Sequence, residues 1–267
     1  MRIPLARLAF ALLLLPALAL RAAEPAPVTQ PPPPAINPDG WPVHDPDRPV
    51  PPLATPRPAE ALAAAAMPPA GAVILFDGTD LSAWQNPAWL VRDGAFEVTP
   101  KAGNLLTRDS FGSCHLHLEW SAPVAITGGG QGRGNSGVFL MDRYEIQILD
   151  NHDNRTYADG YVGSVYGQHP PLANAVRPPG EWNTYDIFFR APLFSAEGKL
   201  LRPAAVTVLL NGIVVQNNAE FYGISTWKKV AVYSAHPPAG PLRLQDHGDR
   251  VRFRNIWVVP PPELPAK

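Results

Sequence analysis

Three observations predict an all-β domain. Between Val73 and Val259 no long segment carries apolar residues at helical spacing. The same stretch is cut into short alternating runs by Gly, Pro, Asn and Asp. One of these breaks, Asn211-Gly212 between "AVTVLL" and "IVVQN", is the pair that supplies the positive-φ residues of a type I′ hairpin turn. Antiparallel strands of this length, each with one apolar and one polar face, predict a two-sheet sandwich of jelly-roll type.

In chain order, Arg2 and Arg7 precede an apolar run from Leu8 to Leu20 and then small residues, the order of a secretory signal with cleavage expected near Ala19 to Ala23. Residues 1–23 are therefore read as a signal peptide and the mature protein as periplasmic or extracellular. The run is interrupted by Pro16 and is shorter than a membrane-crossing helix needs, so no span is expected after cleavage. Residues 24–70 are rich in Pro and Ala ("QPPPPAINP", "RPVPPLATPRP") and read as a disordered linker, with a short helix allowed in "AEALAAAAM". Residues 71–262 have the size of one domain, and 263–267 form a tail. The sole cysteine, Cys114, excludes an internal disulfide, so stability must come from a packed core. A net charge of -1 without a basic stripe argues against nucleic acid as a partner.

Within the domain, "HLHLEWS" places Leu116, Leu118 and Trp120 on one face and His115, His117 and Glu119 on the other. "YEIQIL" places Tyr144, Ile146 and Ile148 on the inward face against Glu145, Gln147 and Leu149 on the other. "AVTVLLNGIVVQN" is a hairpin, and "GPLRLQDHG" and "VRFRNIWVV" supply the last strands, the former alternating Gln245 and His247 with Leu244 and Asp246. A sheet face bearing Glu, Gln and His suits a ligand with many hydroxyls, because carboxylates and amides can bind them in bidentate fashion.

The segments "VILFDGTDLSAWQ", "GNSGVFLMDRYEIQILD", "VYGQHPPLANAVRPPGEWNTYDIFFRAPLF", "PAAVTVLLNGIVVQN" and "LRLQDHGDRVRFRNIWV" resemble, in the same order, the family once termed domain of unknown function 1080 and now the 3-keto-disaccharide hydrolase domain. The resemblance covers the chain after the linker. It implies a concanavalin A-like jelly-roll β-sandwich of two antiparallel sheets and cleavage of glycosides whose sugar carries a ketone at C3. There the ketone acidifies the C2 hydrogen, a base removes it, the enolate expels the C1 substituent, and water adds to the enone. Such chemistry needs a base near C2, a hydrogen-bonding group at the C3 oxygen and an acid for the leaving group.

For these roles the reading favours His247 as the base, Glu145 as a sugar or metal contact or the base itself, and Gln147 as a hydrogen-bonding group for a hydroxyl or the C3 oxygen. Glu119, Arg143, Asn135, Tyr166, Gln245 and His169 are expected at the substrate. No cofactor is assigned with certainty; a divalent cation is an option, with His117 and Glu119 joining Glu145 around it. Asp150 follows Glu145 at an offset resembling the E-x-D-x-x-E motif of retaining glycosidases, but a turn-stabilising role suits it better. Arg133 flanks the central motif, and the Gly-rich approach Thr127–Gly137 reads as a mobile rim loop. Trp182 is expected in the core; Trp227, Trp84 and Trp257 in the core or at strand edges; Arg252 and Arg254 on a solvated face. The competing functions are a noncatalytic carbohydrate-binding module and an ordinary retaining glycosidase using Glu145 and Asp150.

Overall fold

The computed structural model describes residues 35–85 and 87–261. The expected signal peptide and C-terminal tail lie outside the described residues. Among those described, no helix is long and apolar enough to cross a membrane.

The predicted sandwich forms. The larger, eight-stranded sheet runs Ile213–Glu220, Ala205–Leu210, Asn183–Arg190, Cys114–Ser121, Arg252–Val259, Ala95–Glu97, Leu90–Arg92, with Val73–Phe76 also pairing to Arg252–Val259. The five-stranded sheet runs Trp84–Gln85, Leu105–Phe111, Gly240–Leu244, Ser136–Leu140, Tyr144–Ile148. All of these pairs are antiparallel. The inward residues of the two sheets make one core, including Tyr144, Ile146 and Ile148 from one side and Leu116, Leu118, Trp120 and Tyr185 from the other. Burying a side chain of this kind contributes about 2–3 kcal/mol, which is how a chain without disulfides holds two sheets together. The Tyr185 hydroxyl crosses the core to donate to the Gln147 carbonyl at 2.6 Å, fixing the strand that bears the outward Glu145 and Gln147.

Asn211 and Gly212 take positive φ values of 52° and 75°, as the hairpin reading requires. The hairpin between Leu140 and Tyr144 turns instead through Met141 and Asp142, at 55° and 59°. Each non-glycine residue there costs roughly 1 kcal/mol. Burial of Met141 and the 2.5 Å ion pair of Asp142 with Arg243 hold the turn in place.

The linker reading is corrected over residues 35–70, which lie along the domain rather than free of it. Ala54 donates to the Asn174 carbonyl at 2.9 Å and Asn174 donates back to the Pro52 carbonyl at 2.8 Å. Arg48 reaches the Gln168 carbonyl, and the Ala66 carbonyl accepts from both Asn255 and Trp257. Composition misleads here because an extended Pro-rich segment needs no core of its own when its carbonyls and a few side chains bond to a neighbouring surface. The helix in this region is confined to Ala59–Leu62.

Candidate active site on the outer face of the small sheet

Strand register assembles the site. Phe139 lies opposite Glu145 on one side and Arg243 on the other, and Gly137 lies opposite Gln147, with the Gln245 amide donating to the Gly137 carbonyl at 3.0 Å. The outward faces of three neighbouring strands therefore present Glu145 and Gln147, Phe139, and Arg243 and Gln245 side by side. Of these, Glu145, Gln147, Phe139 and Gln245 form the floor of a cavity of about 580 Å³, completed by Gln131, Gly132, Asn135, Tyr157, Tyr166, Ser225, Trp227 and His247.

Glu145 is 5% exposed, and its carboxylate oxygens make no hydrogen bond among the described residues. Burial pushes it up to about 8, with Arg243 pulling in the opposite direction. The approach of this side chain depends on Gly137: a Cβ there would lie 2.5 Å from a Glu145 carboxylate oxygen and 3.0 Å from the Phe139 ring. Arg243 is itself held over Phe139, 3.5 Å from the ring centroid, and paired with Asp142.

Beside Glu145 lies an amide cluster. The Gln147 side-chain nitrogen donates to Gln131 Oε1 at 3.2 Å and Asn135 Oδ1 at 3.3 Å; Asn135 Nδ2 donates to the Gln131 carbonyl at 2.7 Å, and its backbone amide to Asp249 at 2.8 Å. The Gly-rich approach is pinned rather than loose. Gly130 exchanges hydrogen bonds with the Asn154 side chain, and Gln131 Nε2 donates to Thr156 and to the Gly160 carbonyl. On the opposite wall the Tyr157 and Tyr166 hydroxyls meet at 2.9 Å. Burial pushes Tyr157 up to about 12, its bond to Tyr166 notwithstanding; burial and then the hydrogen bond to Tyr157 raise Tyr166 further. Both phenols are neutral donors near pH 7. Since their mutual bond uses one O–H, the other can face a ligand.

Ser225 fixes a third wall. Its hydroxyl accepts from the Glu145 amide at 3.0 Å and its amide donates to the Arg143 carbonyl at 3.0 Å, so the loop carrying Trp227 is tied to the Glu145 strand. Trp227 is 65% exposed at the cavity, not in the core. His247 is exposed and lines the mouth.

Glu145, Gln147, His247, Asn135, Tyr166 and Gln245 thus line one cavity. Three expected substrate contacts do not join them. Glu119 is on the larger sheet, where it accepts from Arg254 at 2.6 Å and Asn255 at 2.9 Å; His117, on the same strand, bonds to Asp186 at 2.9 Å. Alternation assigned the outward face of that strand correctly but could not say which sheet it belongs to. Arg143 serves the site through its carbonyl, while its guanidinium donates to Met141. His169 bonds to the Glu220 carbonyl at 2.7 Å and borders a separate depression with Gln216. The cation set of His117, Glu119 and Glu145 is accordingly split between the two sheets, and among the described residues no three His, Cys, Asp or Glu side chains cluster as a metal site would require.

Asp150 accepts from Arg133 at 2.7 Å and from the His152 amide at 3.1 Å, a buried turn lock that does not line the cavity with Glu145. Trp182 lies outside the core under the guanidinium groups of Arg254 and Arg252, at 4.1 and 5.3 Å from its ring. Trp84 is core, and Trp257 is buried by the Ala66 segment and stacked on His117. The residues sequence reasoning missed, Gln131, Phe139, Tyr157 and Ser225, carry little local signal. Phe139 alone could have been read, from its outward parity in "SGVFL".

Residues 71–259 match the family described as the 3-keto-alpha-glucoside-1,2-lyase-like domain. The chain belongs to this family. Among its relatives, a 3-keto-disaccharide hydrolase of Bacteroides thetaiotaomicron is 22% identical over 239 residues, spanning 70% of this chain and 78% of that one. A crystal structure from Parabacteroides distasonis, of a protein proposed to be a glycosyl hydrolase, superposes with a TM-score of 0.71 at 43% identity, covering 80% of this chain and 93% of the other. A second such structure from the same organism, 23% identical with a TM-score of 0.51 over 71% and 98% of the two chains, shares the fold. The chain is a glycosyl-hydrolase-like β-sandwich.

Proposed function

We propose that this protein cleaves 3-keto-glycosides by elimination across C1 and C2 followed by hydration. The observation that carries the reading is Glu145: a buried carboxylate, without a hydrogen-bonding partner among the described residues, on the floor of a cavity lined by amides and phenols. A base held near pH 8 is far stronger than an ordinary carboxylate, yet is still ionised in roughly a tenth of molecules at pH 7. That strength is what removal of a hydrogen from carbon demands.

In this reading Glu145 takes the C2 hydrogen. The electron pair of the C2–H bond moves to the C2–C3 bond and on to the C3 oxygen, where a phenol of the Tyr157–Tyr166 pair donates a hydrogen bond to the enolate. The enolate collapses, C1=C2 forms, and the C1–O bond breaks. His247 at the mouth protonates the departing oxygen. Water then adds its hydroxyl to C1 and a proton to C2, so that the sum is hydrolysis. Gln147, Asn135, Gln131 and Gln245 bind ring hydroxyls. Sequence alone favours His247 as the base, with Glu145 as a sugar or metal contact or the base itself; burial of Glu145 and exposure of His247 support Glu145 as the base and His247 as the acid.

The test incubates the protein with a 3-keto-glucoside and with its unoxidised parent in parallel. Cleavage of the keto sugar alone is expected. Cleavage of the parent would refute elimination, and binding without cleavage of either would make the protein a carbohydrate-binding module. Export, with the periplasm or cell exterior as the site of action, belongs to the same proposal and is tested by fractionating cells that express the full chain.

A further inference from the structure

We propose that His44, contributed by the segment that precedes the family domain, is a positioning residue for the Tyr157–Tyr166 phenol pair. The inference rests on the role given to those phenols above. His44 does not line the cavity; it packs behind it, its imidazole stacked on Tyr157 with centroids 4.1 Å apart at 29° and tilted against Tyr166 at 5.1 Å and 53°. One ring therefore touches both members of the pair.

His44 is in turn fixed by Asp159, whose side chain is fully buried. The His44 amide donates to Asp159 Oδ2 at 3.0 Å and the imidazole Nδ1 lies 3.3 Å from Oδ1. The Asp159 carbonyl accepts from the Gly167 amide at 2.9 Å, so this residue ties the turn after Tyr157 to the chain just after Tyr166. Asn37, from the same preceding segment, donates to the Gly167 carbonyl at 2.9 Å. Two further features mark His44 as held for a purpose beyond filling space. Its backbone is left-handed, at φ 61°, a conformation that costs a non-glycine residue roughly 1 kcal/mol. Its Nε2 is buried with no partner among the described residues, an expense that a plain hydrocarbon ring would avoid.

The consequence is that the catalytic wall extends beyond residues 71–259: the preceding segment supplies the back support that sets how the two phenols meet, and hence where the free O–H points. A displacement of about 1 Å in such a group can cost on the order of a hundredfold in rate.

A double-mutant cycle on the full chain separates positioning from general stability. His44→Ala should lower kcat on a 3-keto-glucoside by about tenfold or more, with KM within about threefold. In a Tyr157→Phe background, where no pair remains to be positioned, the same change should have little further effect on kcat. Multiplication of the two losses, or an unchanged kcat in His44→Ala, would overturn the proposal. If His44→Ala does not fold, His44→Phe is used in the cycle; it keeps a ring against Tyr157 and should lose less. Should the wild-type chain turn over no keto sugar, the functional reading fails, and positioning is read without activity from NMR of protein carrying tyrosine labelled with carbon-13 at Cζ. His44→Ala should then broaden or split the Tyr157 and Tyr166 resonances, assigned by Tyr→Phe variants. Sharp single lines in the variant would overturn it.

Discussion

Replacing Glu145 by Gln should abolish turnover and at the same time stabilise the protein, increasingly so as pH rises. The 5% exposed carboxyl has its value lifted from 4.5 to about 8 by burial, so the folded protein holds a proton that the unfolded chain releases. The sign follows from linkage. Below pH 4.5 both states are protonated and Glu145 exerts no penalty; between 4.5 and about 8 the folded state alone remains protonated and loses stability relative to the unfolded chain; above 8 both are ionised and the penalty is constant. A shift of this size corresponds to a penalty on the order of 5 kcal/mol at the high plateau and about 3 kcal/mol at pH 7. Glutamine is neutral throughout and fits the same volume, so it escapes the penalty. Urea unfolding of wild type and Glu145→Gln at pH 4.5, 7 and 9 measures it. The variant's advantage should be small at pH 4.5, grow by up to about 1.4 kcal/mol per unit, and level off above 8. An advantage independent of pH, or a variant less stable than wild type at pH 9, would refute the assignment of Glu145 as a desolvated base.

Other outcomes follow from the same geometry. Gly137→Ala should cost about a hundredfold in kcat, because its Cβ would meet the Glu145 carboxylate at 2.5 Å and displace the base, while the fold, checked by thermal unfolding, survives. Glu119→Ala should leave kcat and KM within about twofold but lower unfolding free energy by roughly 2 kcal/mol, since it removes the partner of Arg254 and Asn255 on the opposite sheet. Trp227→Ala should raise KM by about fivefold with little change in kcat, as expected for an exposed rim aromatic that stacks on the sugar but takes no part in proton transfer; steady-state kinetics with varied keto sugar decides it.

The division between what the sequence revealed and what it withheld has a physical cause. Glu145 and Gln147 were legible because a strand's period of two separates them from Tyr144, Ile146 and Ile148, and that alternation survives any tertiary arrangement. Gln245 was legible on the same ground, since its amide continues the ladder to Gly137, whereas His247 lies beyond the strand end at Leu244, where alternation no longer fixes a face. Glu119 obeys the same local rule yet belongs to the other sheet, because alternation names a face without naming the sheet. Tyr157, Gln131 and Ser225 reach the cavity from loops whose paths are set by long-range bonds such as those of Asn154 and Arg143. His44 was hidden by composition: in a Pro-rich stretch nothing local announces that one imidazole will stack behind two distant tyrosines.

The central claim is that cleavage begins with removal of the C2 hydrogen. Running the reaction on a 3-keto-glucoside in deuterium oxide and locating the label in the released sugar by NMR tests it directly. Deuterium is expected at C2 of the product formed by wild type, and is lost together with cleavage in Glu145→Gln. Release of a sugar that retains its original C2 hydrogen would contradict it.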